Sequence, residues 1–285
     1  MDRFKETKKA GLLGIVGNIF LLIIKGSIGF LTNSQAMIAD SANSAGDIFA
    51  SVMTFIGNKI ASEPKDDSHN FGHGKAEYIF SLFISISMIV VAAKLLFDSA
   101  YSLIHKNYME FSWTLVIVCI ITIIIKFCLF LYTNKLCKKY NNILLEANSK
   151  DHRNDCVVTT FTLISVLATL VGIYWLDGVV GIGISIWIAI TGVKIFLESY
   201  NVLMDKSLDE DTKDLILNII RNCDKVQDII NFYTTPVGYQ YMVVLTICVD
   251  GNMSTFASHA LADTLENEIS NLDKVYSTVI HVNPI

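Results

Sequence analysis

The sequence predicts an α-helical membrane protein: six spanning helices followed by a small α+β domain. Three observations carry this. First, hydrophobic residues make up 52% of the 285 positions and charged residues only 17%, with mean hydropathy +0.49; soluble domains carry about a quarter charged residues. Second, the apolar content is concentrated between Ala10 and Met204, and the remaining residues have an ordinary soluble composition. Third, basic residues cluster in alternate loops, as they do in polytopic membrane proteins. The predicted division is 1–204 for the membrane domain and 205–285 for the second domain.

About 20 apolar residues are needed to cross a bilayer. Four segments qualify without difficulty, beginning at Gly11, Tyr78, Phe111 and Gly178. Two more, from Met37 and from Ser149, carry polar residues that a hydropathy plot penalises. Such polarity suits helices that line the interior of a bundle, so six spans are expected. The short basic start lacks a small-residue cleavage site after its apolar run, which reads as a first membrane helix rather than a signal peptide.

Orientation follows from the basic residues. Arg3, Lys5, Lys8 and Lys9 precede the first helix; Lys59, Lys65 and Lys75 lie between the second and third; Lys135, Lys138, Lys139, Lys150 and Arg153 lie between the fourth and fifth. Of the alternate loops, only one carries a lysine, Lys106. This places both termini in the cytoplasm. After Met204, an amphipathic helix begins near Asp209, short strands follow near Val226–Phe232 and Tyr241–Val249, a helix runs from Ser254 to Ile269, and a strand closes from Lys274 to Val282. That order fits a small α+β sandwich.

Several function classes fall away. The net charge of −5 and the lack of a basic stripe argue against nucleic-acid binding. No Gly-rich phosphate loop appears, so ATP hydrolysis is not expected, nor is any enzymatic activity. The six cysteines form no CxxC pair and read as reduced, small apolar residues.

What remains is a pair of polar pairs. Asn43 and Asp47 stand four apart in one predicted span, and Asp151 and Asp155 stand four apart in another. Residues at that spacing share one helix face. Carboxylates at membrane depth mark an ion pathway or site. Four oxygen-bearing side chains without thiolate or imidazole suit a hard divalent cation.

The string Asp66-Asp67-Ser68-His69-Asn70-Phe71-Gly72-His73-Gly74-Lys75-Ala76-Glu77, the two polar pairs, and Leu203-Met204-Asp205 together resemble the cation diffusion facilitator family. The resemblance covers essentially the whole chain. It implies a proton-coupled homodimeric exporter of divalent metals in the lipid bilayer, with a cytoplasmic ferredoxin-like domain. It implies that Asn43, Asp47, Asp151 and Asp155 form the transport site. Zinc members commonly carry His where this chain has Asp151, and His or Asp where it has Asn43. The Asn-Asp-Asp-Asp set therefore resembles the manganese-exporting branch. The chemistry agrees: Zn²⁺ favours His and Cys ligands, whereas Mn²⁺ accepts carboxylate, carbonyl and water.

Secondary positions follow, some from their own chemistry and some from the same resemblance. Asp40, three residues before Asn43, either holds a metal-bound water or packs a helix. Asp66, His69 and His73 match a second metal site, or else form a polar docking loop. Lys75 and Asp205 match a charge interlock between protomers. His259 and His281 match positions of a metal cluster in the cytoplasmic domain, but Thr246 and Asn283 replace neighbouring ligands, which favours dimerisation there. His152 reads as a polar residue near the cytoplasmic mouth. Lys25, Lys94, Lys126 and Lys194 read as snorkelling or as pairing within the dimer, without a transport role.

Clustered carboxylates in an empty site favour proton uptake, and an incoming metal displaces those protons; the expectation is antiport that extrudes metal across a bacterial plasma membrane. The rivals are Zn²⁺, Fe²⁺, Co²⁺ or Cd²⁺ as cargo, a membrane-bound metal sensor without transport, and an exporter of organic cations, which would need an aromatic cage rather than clustered oxygens.

Overall fold

The computed structural model describes residues 2–31, 35–105, 111–173 and 175–285. Near the start of the second helix it describes side chains only at Ser44 and from Gly46 onward, so Asp40 and Asn43 lie outside the described residues. The chain divides into two compact units: residues Met1–Ser62 with Ala76–Tyr200, and Glu63–Lys75 with Asn201–Ile285.

The first unit is built from six long helices: α1 (Asp2–Leu31), α2 (Gln35–Ala61), α3 (Ala76–His105), α4 (Trp113–Tyr140), α5 (Ile143–Thr169) and α6 (Leu176–Leu203). Stretches of α1, α3, α4 and α6 are long and apolar enough to cross a membrane. Helices α2 and α5, at 27 residues each, match them in length but carry the polar pairs. The apolar and polar faces are arranged inside out. Leu12, Val16, Phe20 and Ile23 of α1 face outward, while Thr7, Asn18 and Lys25 of the same helix are buried. A lipid-facing surface must be apolar, and small or polar side chains hold helices together in lipid. Ser51, Thr54, Ser81, Ser85 and Thr122 are buried between helices accordingly. Gly11 lets α1 approach α2 closely: a Cβ there would stand 3.1 Å from the Phe55 backbone nitrogen.

Helix α5 begins six residues earlier than the sequence predicts. Asn141 takes a left-handed conformation (φ 46°) that ends α4, and the side chain of Asn142 accepts from the backbone N–H groups of Leu144 and Leu145 at 2.9 and 3.1 Å. An Asn N-cap starts a helix in this way. The consequence is positional. Asp151 is the ninth residue of α5, roughly 12 Å along the helix axis, and not at its leading end.

The second unit contains α7 (Glu210–Arg221), β1 (Asp228–Val237), β2 (Gln240–Val249), α8 (Thr255–Ser270) and β3 (Val275–Pro284). Strands β1 and β2 form an antiparallel hairpin, and β3 pairs in parallel with β2. The helix–strand–strand–helix–strand order and the sheet order β1-β2-β3 form the small α+β unit that the sequence predicts. Asp209 and Ser254 cap α7 and α8. Ile216, Ile220, Leu261, Leu265 and Ile269 pack from the helices onto Val243, Leu245 and Ile247 of the sheet. Strand β1 runs farther than its sequence pattern predicts because it continues into the hairpin turn at Gly238, whose φ of 62° suits glycine.

Candidate metal centre

The two carboxylates Asp47 and Asp155, from different helices, meet at one point. The Nζ of Lys126, on α4, donates to Asp47 Oδ2 at 2.7 Å and to Asp155 Oδ2 at 2.5 Å. The lysine side chain is 1% exposed. This overturns the expectation that Lys126 snorkels: its ammonium stays in the interior because it is paired there. Asp151 lies one turn before Asp155, and its Oδ2 is buried without a hydrogen-bond partner among the described residues. Ligand atoms of Asp151, His152 and Asp155 all fall within 4.8 Å of one another. A cavity of about 210 Å³ opens onto Asp47, Lys126, Asp151 and Asp155. Lys25 and Lys94 line it too, so they face the cavity, while Lys194 is exposed.

His152 departs from its expected place at the mouth. It is 0% exposed, and neither ring nitrogen has a hydrogen-bond partner among the described residues. Arg153, counted in the sequence as a loop charge, sits within α5 with its guanidinium 4.5 Å from the Trp187 ring centre, a cation–π contact.

A buried network fastens α5 to α1 and α3 at one level. Arg3 of α1 donates to Glu77 Oε2 at 2.6 Å, and Asn142, the cap of α5, donates to Glu77 Oε1 at 3.0 Å. Glu77 is 2% exposed. On the other face, Asn18 of α1 donates to the backbone carbonyl of Asp47 at 3.1 Å and to Ser51 Oγ at 3.2 Å. These hold the backbone of α2 where Asp47 is presented. Lys126, His152 and Glu77 were not predicted as site residues. The available signal was the rule that intramembrane charges seek partners, applied to lysine as well as to aspartate.

The loop residues also converge. Asp66 Oδ1 accepts from the backbone N–H groups of Ser68 and His69 at 2.9 and 2.6 Å and lies 3.2 Å from His69 Nδ1. The N–H of His69 is the chief reason that the Asp66 carboxyl is held below its ordinary range. His73 Nε2 lies 3.7 Å from Asp66 Oδ2. The ligand atoms of Asp66, His69 and His73 fall within 4.8 Å of one another. The neighbouring Gly74 packs backbone to backbone against Gly238 of the hairpin turn; a Cβ on Gly74 would stand 2.9 Å from the Gly238 Cα.

Lys75 Nζ donates to Asp205 Oδ1 at 2.8 Å within one chain. Asp205 is presented by a Schellman end to α6. It has φ 56°, its own N–H bonds to Val202, and the N–H of Lys206 bonds back to Asn201 at 2.9 Å. In the second unit, His259 is exposed and lies 3.6 Å from Asp263. His281 pairs in register with Thr246. Among the described residues, neither histidine belongs to a cluster of three metal-ligating groups.

Residues 11–204 match the family model described as the cation efflux transmembrane domain, and residues 208–285 match the cytoplasmic domain of cation efflux proteins. An uncharacterized transporter of Methanocaldococcus jannaschii is 30% identical over 279 residues, covering 98% of this chain and 99% of the relative. The manganese efflux system protein MneP of Bacillus subtilis is 26% identical, covering 99% of this chain and 98% of the relative. The manganese efflux system protein MneS of the same organism is 29% identical, covering 100% and 99%.

Proposed function

The chain belongs to the cation efflux family of membrane transporters for divalent metal cations, and on that premise we propose that it exports Mn²⁺ from the cytoplasm in exchange for protons. The observation that carries the reading is the convergence of Asp47 and Asp155 on a single buried cationic group. Carboxylates from α2 and α5 already share one cation, so a divalent ion has a place between them. Asp151, with a buried oxygen left unpartnered, supplies a further donor; buried polar atoms are rarely left so without a function. Asn43 completes the proposed set, four residues before Asp47 on the same helix. An Asn-Asp-Asp-Asp set offers oxygen alone, which suits Mn²⁺ with water filling its remaining positions. The similarity to two manganese efflux proteins supports the same cargo.

In this mechanism the metal enters the cavity from the cytoplasm and competes with protons for the carboxylates. Outward opening exposes the site to the proton-rich side, protons take the carboxylates, and the ion leaves. Both termini lie in the cytoplasm, in keeping with the basic loops. The cytoplasmic domain joins two copies, with Lys75 and Asp205 at the interlock and Asp66, His69 and His73 as an accessory loop site. The setting is a bacterial plasma membrane.

One observation favours a second reading. The buried imidazole of His152 lies within 4.8 Å of Asp151 and Asp155 ligand atoms. A nitrogen donor there would favour Zn²⁺, which leads Mn²⁺ in intrinsic affinity. Proteoliposome flux separates the two. Mn²⁺ uptake into inverted vesicles should follow an imposed pH gradient in the native chain, and Asp151→His should raise Zn²⁺ flux relative to Mn²⁺. Native flux of Zn²⁺ without Mn²⁺ would reject manganese as cargo, and Mn²⁺ flux indifferent to the gradient would reject antiport.

A further inference from the structure

The transport-site reading leaves the Lys126 ammonium without a task. Its Nζ contacts one oxygen of Asp47 and one of Asp155, at 2.7 and 2.5 Å, on a side chain that is 1% exposed. A buried ammonium without partners costs several kcal/mol, so it persists at this depth because two carboxylates meet it. The dependence is mutual, since two carboxylates facing each other across α2 and α5 repel without a cation between them. A group that touches an oxygen of each occupies the place of a metal bound by both, because metal–oxygen bonds of roughly 2.0–2.6 Å demand the same proximity.

We propose that the Lys126 ammonium is the resident cation of the metal-free transport site and that the incoming metal must displace it. The inference rests on Asp47 and Asp155 being metal ligands. Lysine suits the task. Its charge sits on a flexible four-carbon stem and can leave without moving the helix. The same cavity offers it somewhere to go: Thr122, one turn earlier on α4, has a buried hydroxyl with no hydrogen-bond partner among the described residues, and Asp98 of α3 lines the cavity wall. Two consequences follow. The resident ammonium holds the carboxylates of two helices close together before metal arrives, which lowers the cost of organising the site. It also weakens net metal affinity and retakes the carboxylates when the ion departs, which speeds release.

Equilibrium binding of Mn²⁺ to the full-length protein in detergent, by titration calorimetry, tests this with K126M and K126R. K126M removes the competitor at similar length and should tighten Mn²⁺ binding by about tenfold or more, since close buried charge pairs couple by at least ~1.5 kcal/mol. In proteoliposomes the same variant should show lowered KM and lowered kcat, as slow release implies. K126R keeps the charge and should bind nearer to the native chain. A merely structural lysine predicts the opposite, weaker binding in K126M, and unchanged or weaker binding overturns the proposal. A second measurement needs no variant: acetylation of Lys126 by an N-hydroxysuccinimide ester, read by mass spectrometry, should rise severalfold when Mn²⁺ loads the native protein. Unchanged or reduced labelling on a metal-loaded chain also overturns displacement. A native protein that neither binds nor moves Mn²⁺ or Zn²⁺ sinks the transport-site reading itself, which is a distinct result.

Discussion

At the residue scale, the site is a matter of which charges meet. Asp47 and Asp155 share Lys126, and Asp151 keeps a buried oxygen unpartnered. Asp155→Asn and Asp47→Asn should each cut Mn²⁺ flux by more than about tenfold, because even groups that only orient a ligand cost 10–100-fold when changed; near-native flux in either variant would remove that residue from the ligand set. Glu77 makes a different prediction. It holds the Arg3 guanidinium at 2.6 Å in a setting where the arginine side chain is 14% exposed and the glutamate 2%. Glu77→Ala strips that charge of its carboxylate and should destabilise the bundle by about 3 kcal/mol. A lowered unfolding temperature in detergent with unaltered Mn²⁺ affinity in the folded fraction is the expected pattern. The aspartates were legible as residues because carboxylates inside apolar runs are conspicuous. Lys126 was not, because a lone lysine in an apolar helix reads equally well as a snorkelling side chain until its neighbours are known.

At the element scale, capping fixes where helices start, and hence how deep a site lies. Asn142 starts α5 and also donates to Glu77. Asn142→Ala should cost about 1 kcal/mol for the lost cap and more for the lost donor to a buried carboxylate. Asn142→Asp keeps the cap but sets two carboxylates face to face, so it should be no better than Ala; unfolding midpoints of the two variants compare directly. In the second unit, Asp209 caps α7 and pairs with Lys274 at 2.8 Å, which holds its carboxyl down to about 2. A depressed carboxyl contributes stability above its unfolded value, near 3.9, and loses it as pH falls toward 2. The stability gap between the native chain and Asp209→Asn should therefore be constant from pH 7 to about 5 and shrink below about 4. A gap that persists at pH 2.5 would mean that the carboxylate charge is not what Asp209 contributes. The amphipathic and alternating patterns revealed α7, α8, β2 and β3 in the sequence, whereas the start of α5 was missed because an Asn-Asn pair between two helices is a weak signal beside a long apolar run.

At the scale of the whole molecule, the segment between α2 and α3 belongs to the second unit, not to the helices that flank it in sequence. Gly74 and Gly238 approach closely there: a Cβ on Gly74 would stand 2.9 Å from the Gly238 Cα, and one on Gly238 would stand 3.2 Å from the Gly74 Cα. Gly238→Val adds bulk at a residue with φ 62° and should release the loop. Hydrogen exchange across residues 63–75 should quicken, and any metal bound by Asp66, His69 and His73 should bind more weakly. Unchanged exchange would show that the loop holds its place without the hairpin. The Lys75–Asp205 pair, with side chains 39% and 56% exposed, contributes little by itself; a role in joining two copies would appear as a shift in the monomer–dimer balance of Lys75→Ala.

Composition and periodicity by themselves determined six long helices, a small α+β domain after them, and oxygen-bearing side chains at matched spacing on two of the helices. These follow from local rules, since hydropathy reports the bilayer and an i,i+4 spacing reports a helix face. Tertiary structure alone decided that Asp47 and Asp155 share a lysine from a third helix, that His152 is buried beside them, and that the loop Glu63–Lys75 leaves its neighbouring helices for the sheet domain. The physical reason is plainest for the lysine. A charge removed from water takes its partner from whatever element packs against it, and which element that is depends on helix packing rather than on distance along the chain.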